Sequence, residues 1–289
     1  MNDQLHYTEC PRDAMQGIKT FIPTDDKVRY INALLRVGFD VVDFGSFVSP
    51  KAVPQMRDTP EVLKRLNLDG TTSQLLAIVA NERGARDAAS YSEVGILGYP
   101  FSISETFQRR NTNAGIEESL HRVVEISNIA TASAKTLVIY ISMAFGNPYG
   151  DPYHPDLVAR WIQRLNDETS VTSFSLADTV GVSDKANIEA LFGTVIKEFG
   201  DFRIGAHLHS KPHEAAEKIM SAWNAGCRSL EGALLGLGGC PMADDELVGN
   251  IATEVVFQTL DETCYPHINT HQLNKAARLA TEILTTSGH

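Results

Sequence analysis

The stretch Phe202–Gly232 reads FRIGAHLHSKPHEAAEKIMSAWNAGCRSLEG and contains one complete unit of the predicted fold. A strand over Phe202–His209 and another over Arg228–Gly232 flank a helical segment that begins near His213. Short apolar strands that alternate with helices of this length indicate a parallel sheet with crossover helices. The same alternation continues through the rest of the chain.

The apolar runs predict about eight strands, the number that a closed α/β barrel requires. The other six are expected at Leu5–Cys10, Val41–Gly45, Gln74–Val79, Glu93–Gly98, Thr136–Ser142 and Ser170–Leu176. The other helices are expected to begin near Asp25, Asn81, Ile116, Pro155, Asp184 and Asn250, with Thr24, His154 and Ser183 before three of these starts as capping signals. No repeat or long linker divides the chain. We therefore expect residues 1–289 to form a single (β/α)8 TIM-barrel catalytic domain of the α/β class, with additional C-terminal helices.

Composition excludes several classes of protein. A net charge of −11 opposes a nucleic-acid-binding surface, which needs a basic face. The first thirty residues lack the pattern of a secretory signal, and no apolar run approaches the roughly 20 residues of a membrane-spanning helix. The four cysteines are too few and too widely spaced for a disulfide framework, so we expect free thiols. The sequence predicts a soluble, cytoplasmic protein that binds neither nucleic acid nor membrane.

Polar side chains collect after the predicted strands. Enzymes with a barrel of this kind carry their chemistry at the carboxyl ends of the strands. In chain order, the candidates there are Arg12, Asp13, Asp43, Asp178, His207, His209, Cys240 and Asn250.

His207 and His209 lie two residues apart, and in a strand this spacing turns both imidazoles to one face. They are either ligands of a shared divalent ion or a hydrogen-bonded pair inside the barrel. Asp13 would add the anionic oxygen that Mg²⁺ or Mn²⁺ prefers, and Arg12 beside it could hold a developing enolate oxygen. The alternative for Arg12 and Asp13 is a simple salt bridge.

Asp43 and Asp178 are carboxylates at the ends of apolar strands, where burial is costly without a partner. Each is a candidate to orient a metal ligand or Arg12, or to take part in proton transfer. The alternative for Asp178, which is followed by Thr179 and Gly181, is a helix cap.

Cys240 lies in GLGGCP at Gly236–Pro241, where glycines give the backbone freedom on one side and proline restricts it on the other. Such a segment can move as a lid. Its thiol is then either a nucleophile or a proton donor to a carbanion formed beside it.

These motifs, in this order, resemble the hydroxymethylglutaryl-CoA lyase family of the metal-dependent aldolase and lyase barrels. The resemblance covers most of the chain. It rests on PRDAMQ at residues 11–16, SFVSPKAVPQM at 46–56, GIEES at 115–119, SLADTVGV at 175–182, AHLH at 206–209, and GLGGCP at 236–241 followed by GN at 249–250. GLGGCP is the most specific, because related condensing enzymes carry a different loop there.

The resemblance implies cleavage of 3-hydroxy-3-methylglutaryl-CoA to acetoacetate and acetyl-CoA, a step of leucine degradation and ketone-body formation. It implies that Asp13, His207, His209 and Asn250 hold a divalent metal, Mg²⁺ or Mn²⁺. Arg12 then matches the catalytic electrophile and Cys240 the proton donor to the departing enolate. Asp43 and Asp178 fall on the two other acidic positions of the family. A homodimer is also implied.

Several residues depart from the family pattern. PRDGLQ is here PRDAMQ, the usual glutamate before SFVSP is Asp43, and HxHDTxG is replaced by HLHSKPH. The segment between Cys240 and Asn250 is longer and more acidic. Two other functions therefore stay open: a sibling lyase for another 3-hydroxy-acyl-CoA or a free 3-hydroxy acid, and a metal-binding regulatory protein without turnover. Candidate groups for the CoA phosphates are Lys51, Arg57, Arg109 and Arg110.

Overall fold

Eight parallel strands form a closed barrel in the computed structural model, which describes residues 3–239 and 248–285. Each strand pairs with the next along the chain, and β8 pairs with β1 to complete the ring. The predicted TIM barrel is confirmed. The strands are β1 His6–Glu9, β2 Val41–Ser46, β3 Gln74–Ile78, β4 Val94–Ser102, β5 Thr136–Ser142, β6 Ser173–Ala177, β7 Arg203–His207 and β8 Ser229–Gly232.

The helices surround this barrel. They are α1 Pro11–Gln16, α2 Thr24–Leu34, α3 Thr59–Lys64, α4 Glu82–Ala89, α5 Glu105–Thr112, α6 Ile116–Ala132, α7 Pro155–Thr169, α8 Lys185–Glu198, α9 Ala215–Asn224, α10 Thr253–Thr259 and α11 Thr270–Ala280. Seven begin within three residues of a predicted start. Helices α1, α3 and α5 were not predicted from the sequence; each has only six to eight residues, a length at which the helical period is a weak signal.

Some predicted boundaries and caps were wrong. Strand β4 continues four residues past Gly98, because this extension pairs with the end of β5. Asp184, rather than Ser183, caps α8 in a reciprocal pair of bonds with Asn187. Thr24 is the first residue of α2 rather than its cap, whereas His154 caps α7 as predicted, with its Nδ1 accepting from the backbone of Asp156.

The C-terminal helices pack against β1 and α2. Tyr7 of β1 packs against Phe257 of α10 with ring centroids 4.9 Å apart, and Phe257 packs against Tyr265 at 4.7 Å. The Tyr7 hydroxyl also donates to Thr253 Oγ1 at 2.9 Å. Helix α11 packs against α2. The predicted C-terminal helices are therefore part of the main core.

Over the residues that the structure describes, no helix combines the length and the apolar character needed to cross a membrane. The three described cysteines, Cys10, Cys227 and Cys264, are free thiols, as expected.

Candidate active site

Asp13, His207 and His209 converge at the carboxyl end of the barrel. Asp13 lies on α1 directly after β1, His207 ends β7, and His209 follows it in a bridge with Asn250. One ligand atom from each of the first three lies within 4.8 Å of the other two. Asn250 Nδ2 donates to Asp13 Oδ2 at 2.5 Å. All four residues predicted to hold a metal are thus buried in one group, which we call the metal-site group.

The donor atoms of this group fit a divalent ion. His209 Nε2 and Asn250 Oδ1 are buried and have no hydrogen-bond partner within the described part of the chain. Buried polar atoms are rarely left without a partner unless a ligand or water supplies one. One carboxylate, two imidazoles and an amide oxygen suit a first-row divalent ion or Mg²⁺.

Each imidazole has a distinct environment. His209 Nδ1 donates to the carbonyl of Thr179 at 3.2 Å, which leaves Nε2 to face the group. Burial, followed by the nearby His207, lowers the pKa of His209 to about 4, so this ring is neutral at pH 7. Burial also opposes the charged form of His207, but the hydrogen bond to Glu231 and the negative charges of Glu231 and Asp13 together outweigh burial, so the pKa of His207 is raised.

Arg12 is buried between two carboxylates beside this group. Its Nε and Nη2 donate to Asp43 Oδ2 at 2.9 and 2.6 Å, and its Nη1 donates to Asp13 Oδ1 at 3.0 Å. Gln16 fixes the arrangement, because it accepts from Arg12 Nη1 and donates to Asp13 Oδ1. Burial disfavours the charged form of Arg12, but Asp43 and Asp13 reverse this and raise its pKa.

The two carboxylates that share Arg12 differ in acidity. Burial raises the pKa of Asp43 to about 6 against the opposing effect of Arg12. Burial acts in the same direction on Asp13, but Arg12 and the two histidines overcome it and lower the pKa to about 2. The second oxygen of Asp43, Oδ1, is buried without a partner among the described residues. Carboxyl groups whose acidities are pushed apart are typical of acid–base sites.

Asp178 has a different environment. Its Oδ1 accepts from the backbone of Val182 at 2.9 Å, and its Oδ2 accepts from the amide and hydroxyl of Ser183. Buried Lys218 contacts Asp178 Oδ2 at 3.4 Å and also donates to the carbonyl of His209 at 2.9 Å. Asp178 therefore ties the loop after β6 to the end of β7.

Cys240 lies outside the described residues, but the base of its loop is described. Gly238, at φ +99°, crosses directly over the metal-site group. A Cβ at this position would lie 2.6 Å from Asn250 Nδ2 and 2.8 Å from the carbonyl oxygen of Asp13. Only glycine therefore lets the chain pass here.

The family model described as HMGL-like matches residues 7–280. The chain belongs to the HMGL-like family. It is 33% identical over 255 residues to a hydroxymethylglutaryl-CoA lyase of Bacillus subtilis, covering 87% of this chain and 83% of that protein. It is 34% identical to the mitochondrial hydroxymethylglutaryl-CoA lyase of Gallus gallus, over 84% of this chain and 80% of that protein.

Solved structures of HMG-CoA lyases share the fold of this HMGL-like chain. One is an HMG-CoA lyase from Acinetobacter baumannii in complex with coenzyme A and 3-methylmalate. It superposes with a TM-score of 0.90 at 27% identity, over 99% of this chain and 92% of that one.

The four candidate CoA-binding residues of this HMGL-like chain differ in placement. Arg57 stacks over the Phe21 ring at 3.6 Å and lines a cavity of about 240 Å³ at the carboxyl ends of β2 and β3. Arg109 pairs with Glu105 at 2.7 Å, Arg110 lies over Tyr149 at 4.7 Å, and Lys51 is exposed. Arg83, which was not among the predicted residues, also lines the cavity.

Glu231 and Gln16 also belong to the site but were not predicted from the sequence. Glu231 Oε2 accepts from His207 Nδ1 at 3.0 Å, the kind of contact that was predicted for Asp43 or Asp178. For Glu231, the available signal was a charged residue inside the short strand-forming run Ser229–Gly232, where a side chain is expected to be buried. For Gln16, the signal was its spacing of three and four residues from Asp13 and Arg12, which places all three on one face of a helix.

Replacing Gly238 with alanine should damage the metal-site group. The added Cβ must displace Asn250 or Asp13, and an L side chain is also strained at this φ. We expect Gly238→Ala to weaken Mn²⁺ binding about tenfold or more by isothermal titration calorimetry.

Gly193→Ala is the matched control, because a Cβ at that position in α8 meets nothing within 4 Å. Its Mn²⁺ affinity should equal that of the wild type. Equal affinity for both variants would contradict the proposed role of Gly238.

Proposed function

We propose that this chain is a divalent-metal-dependent lyase that cleaves 3-hydroxy-3-methylglutaryl-CoA to acetoacetate and acetyl-CoA. The observation that carries the proposal is the buried metal-site group next to the Arg12–Asp43 ion pair. The names of the similar proteins support the substrate, and the bound coenzyme A in one of them supports an acyl-CoA.

The proposed ligands of Mg²⁺ or Mn²⁺ are Asp13, His207, His209 and Asn250. The atoms Nε2 of His209 and Oδ1 of Asn250 are those without a partner in the described chain. A bound ion would polarise the hydroxyl and carboxylate oxygens of the substrate as a Lewis acid.

Asp43 is the proposed general base. Its Oδ1 is unpartnered within the described residues, and its pKa of about 6 leaves it ionised but still basic at neutral pH. It would take the proton of the C3 hydroxyl, either directly or through a water molecule. The C2–C3 bond then breaks, the C3 oxygen becomes the ketone of acetoacetate, and the electron pair passes to the thioester as an enolate.

Arg12 is the proposed electrophile that stabilises this enolate. Its guanidinium is held by Asp43, Asp13 and Gln16, so little reorganisation is needed as charge develops on the thioester oxygen. Cys240 is proposed to donate the proton that converts the enolate carbon to the methyl group of acetyl-CoA. We assign Asp178 to positioning, because both of its oxygens are bonded to the loop after β6 or to Lys218.

We propose that the cavity beside β2 and β3 accepts part of the CoA moiety. It opens at the same end of the barrel as the metal-site group, and its lining includes Ser46, Ser49, Asn81 and two arginines. Stacking on Phe21 holds one of these cations, Arg57, in place before any anion arrives. The homodimer and the cytoplasmic location stay predictions.

Purified protein incubated with hydroxymethylglutaryl-CoA and Mg²⁺ or Mn²⁺ should form acetoacetate, and EDTA treatment should abolish the product. Acetoacetate is measured by a coupled dehydrogenase assay. Binding of the ion without any cleavage would reject this substrate and favour the sibling lyase, which is tested with other 3-hydroxy-acyl thioesters and free 3-hydroxy acids. Cys240→Ser is the control for a protein without turnover, since a lyase should lose most activity with this change and keep its metal.

If Asp43 is the base, kcat/KM should fall at acidic pH. A base with a pKa of about 6 is active when ionised, so kcat/KM should rise with pH through about 6 and level off above it. Asp43→Asn should lower kcat by about 100- to 10,000-fold and remove this fall at acidic pH. The profile is measured at saturating Mn²⁺. A wild-type profile that is flat between pH 5 and 8 would argue against Asp43 as the base.

Two arginines on α4 test the CoA cavity. Arg83 lines it, whereas Arg86 pairs with Glu82 outside it, and both are exposed. We expect Arg83→Gln to raise KM for the acyl-CoA about fivefold, the effect of one exposed ionic contact, while Arg86→Gln leaves KM unchanged. Steady-state kinetics with both variants measure this, and equal KM values would place CoA elsewhere.

A further inference from the structure

Glu231 lies beneath the metal-site group, inside the barrel. Its side chain points from β8 toward neighbouring strands and is only 6% exposed. Oε1 accepts from Ser175 Oγ of β6 at 2.6 Å. Oε2 accepts from His207 Nδ1 at 3.0 Å and from the Cys10 thiol at 3.9 Å. Both oxygens are therefore directed by donors from other strands.

The contact with His207 fixes the form of that imidazole. An ionised carboxylate can only accept hydrogen bonds, so Nδ1 of His207 must carry the proton that lies between the two groups. Nε2 is then the nitrogen left to coordinate an ion with Asp13 and His209. A ring in the opposite tautomer would place an N–H where the ion needs a lone pair.

The charge of Glu231 faces a single ion-pair partner among the described residues. Among the ion pairs of residues 3–239 and 248–285, Glu231 takes part only in the one with His207. A buried carboxylate is costly without a counter-charge. A cation bound to Nε2 of His207 would supply that counter-charge. The imidazole would then lie between the cation and the carboxylate of Glu231.

We propose that Glu231 is the positioning residue that prepares His207 to bind the metal, and that it sets the affinity of the site for its ion. The inference rests on the proposed function, because it requires the metal-site group to hold a divalent ion. Outer carboxylates of this kind orient the ring and raise its basicity, and their loss costs about 10- to 100-fold in metal affinity.

The surrounding barrel supports this role. Tyr140 packs edge-on against the His207 ring with centroids 5.9 Å apart, which limits rotation of the imidazole. A small cavity of about 20 Å³ is lined in part by Thr8, Tyr140, Ser175 and Glu231. It leaves room for a slightly displaced carboxylate, so a shorter acid at position 231 should retain part of the function.

The test is Mn²⁺ binding to the full-length protein by isothermal titration calorimetry. Glu231→Gln keeps the shape of the side chain and removes its charge, so we expect the dissociation constant to rise about 10- to 100-fold. Ser175→Ala is the matched control, because it removes a donor to the same carboxylate without touching His207. Its affinity should stay within about threefold of the wild type, as expected for one neutral hydrogen bond.

Glu231→Asp is the conservative variant and covers the case in which the glutamine variant does not fold. Its affinity should lie between those of the wild type and Glu231→Gln. Histidine ¹⁵N–¹H correlation spectra of the metal-free proteins, recorded at a pH above the raised pKa of His207 so that its ring is neutral, add an independent readout. They should show His207 with the proton on Nδ1 in the wild type and a smaller population of this tautomer in the glutamine variant.

The outcomes separate the two proposals. Wild-type affinity in the folded glutamine variant, or in the aspartate variant if the former is unfolded, overturns the role of Glu231 and leaves the metal site intact. Absence of Mn²⁺ binding to the wild type overturns the metal site and this inference together. An equal loss in Ser175→Ala shows a general packing effect, which also overturns the specific role of Glu231.

Discussion

The pairing of β8 with β1 is the constraint on which the site depends. It brings residues near position 13 beside residues near position 250, although more than two hundred residues separate them along the chain. The Asn250–Asp13 hydrogen bond, the contact of Glu231 with Cys10 and the passage of Gly238 over Asp13 all follow from this closure. Without it, the two halves of the metal-site group would not meet.

Charge balance then decides what the closed barrel can bind. Arg12 is a single buried cation that forms ion pairs with both Asp13 and Asp43. Glu231, which contacts His207, adds a third carboxylate nearby. The excess of negative charge favours a divalent cation over an anionic ligand in the innermost part of the site. Burial, aided by this excess of negative charge, raises the pKa of Asp43 and makes its carboxylate suited to accept a proton.

The fold and most of the site could be predicted from local patterns. Apolar runs located all eight strands, and the rule that chemistry lies at their carboxyl ends placed Asp13, His207, His209 and Asn250 among eight candidate residues. The resemblance to the lyase family implied that these four share one ion, and the structure brings them together. Side-chain contacts across the barrel were less accessible, because they depend on the stagger between strands. Glu231 was missed for this reason, since only the register of β7 and β8 places it opposite His207. Asp178 was selected from the sequence, but its positioning role could not be predicted. Its partners Ser183 and Lys218 reach it only in the folded structure, where the loop after β6 and α9 pack together.

The attachment of β1 to the end of the chain has a consequence for biosynthesis. As the chain leaves the ribosome, β2 can pair with one edge of β1, but the other edge has no partner until β8 has emerged. Tyr7 and Glu9 become fully packed later still, because both contact Thr253, and Tyr7 also packs on Phe257. Strand β1 is made before the other seven strands of the barrel and is thus among the last to be enclosed. An open strand edge with an apolar surface is recognised by chaperones and prone to aggregation, and β1 keeps such an edge until β8 has been made.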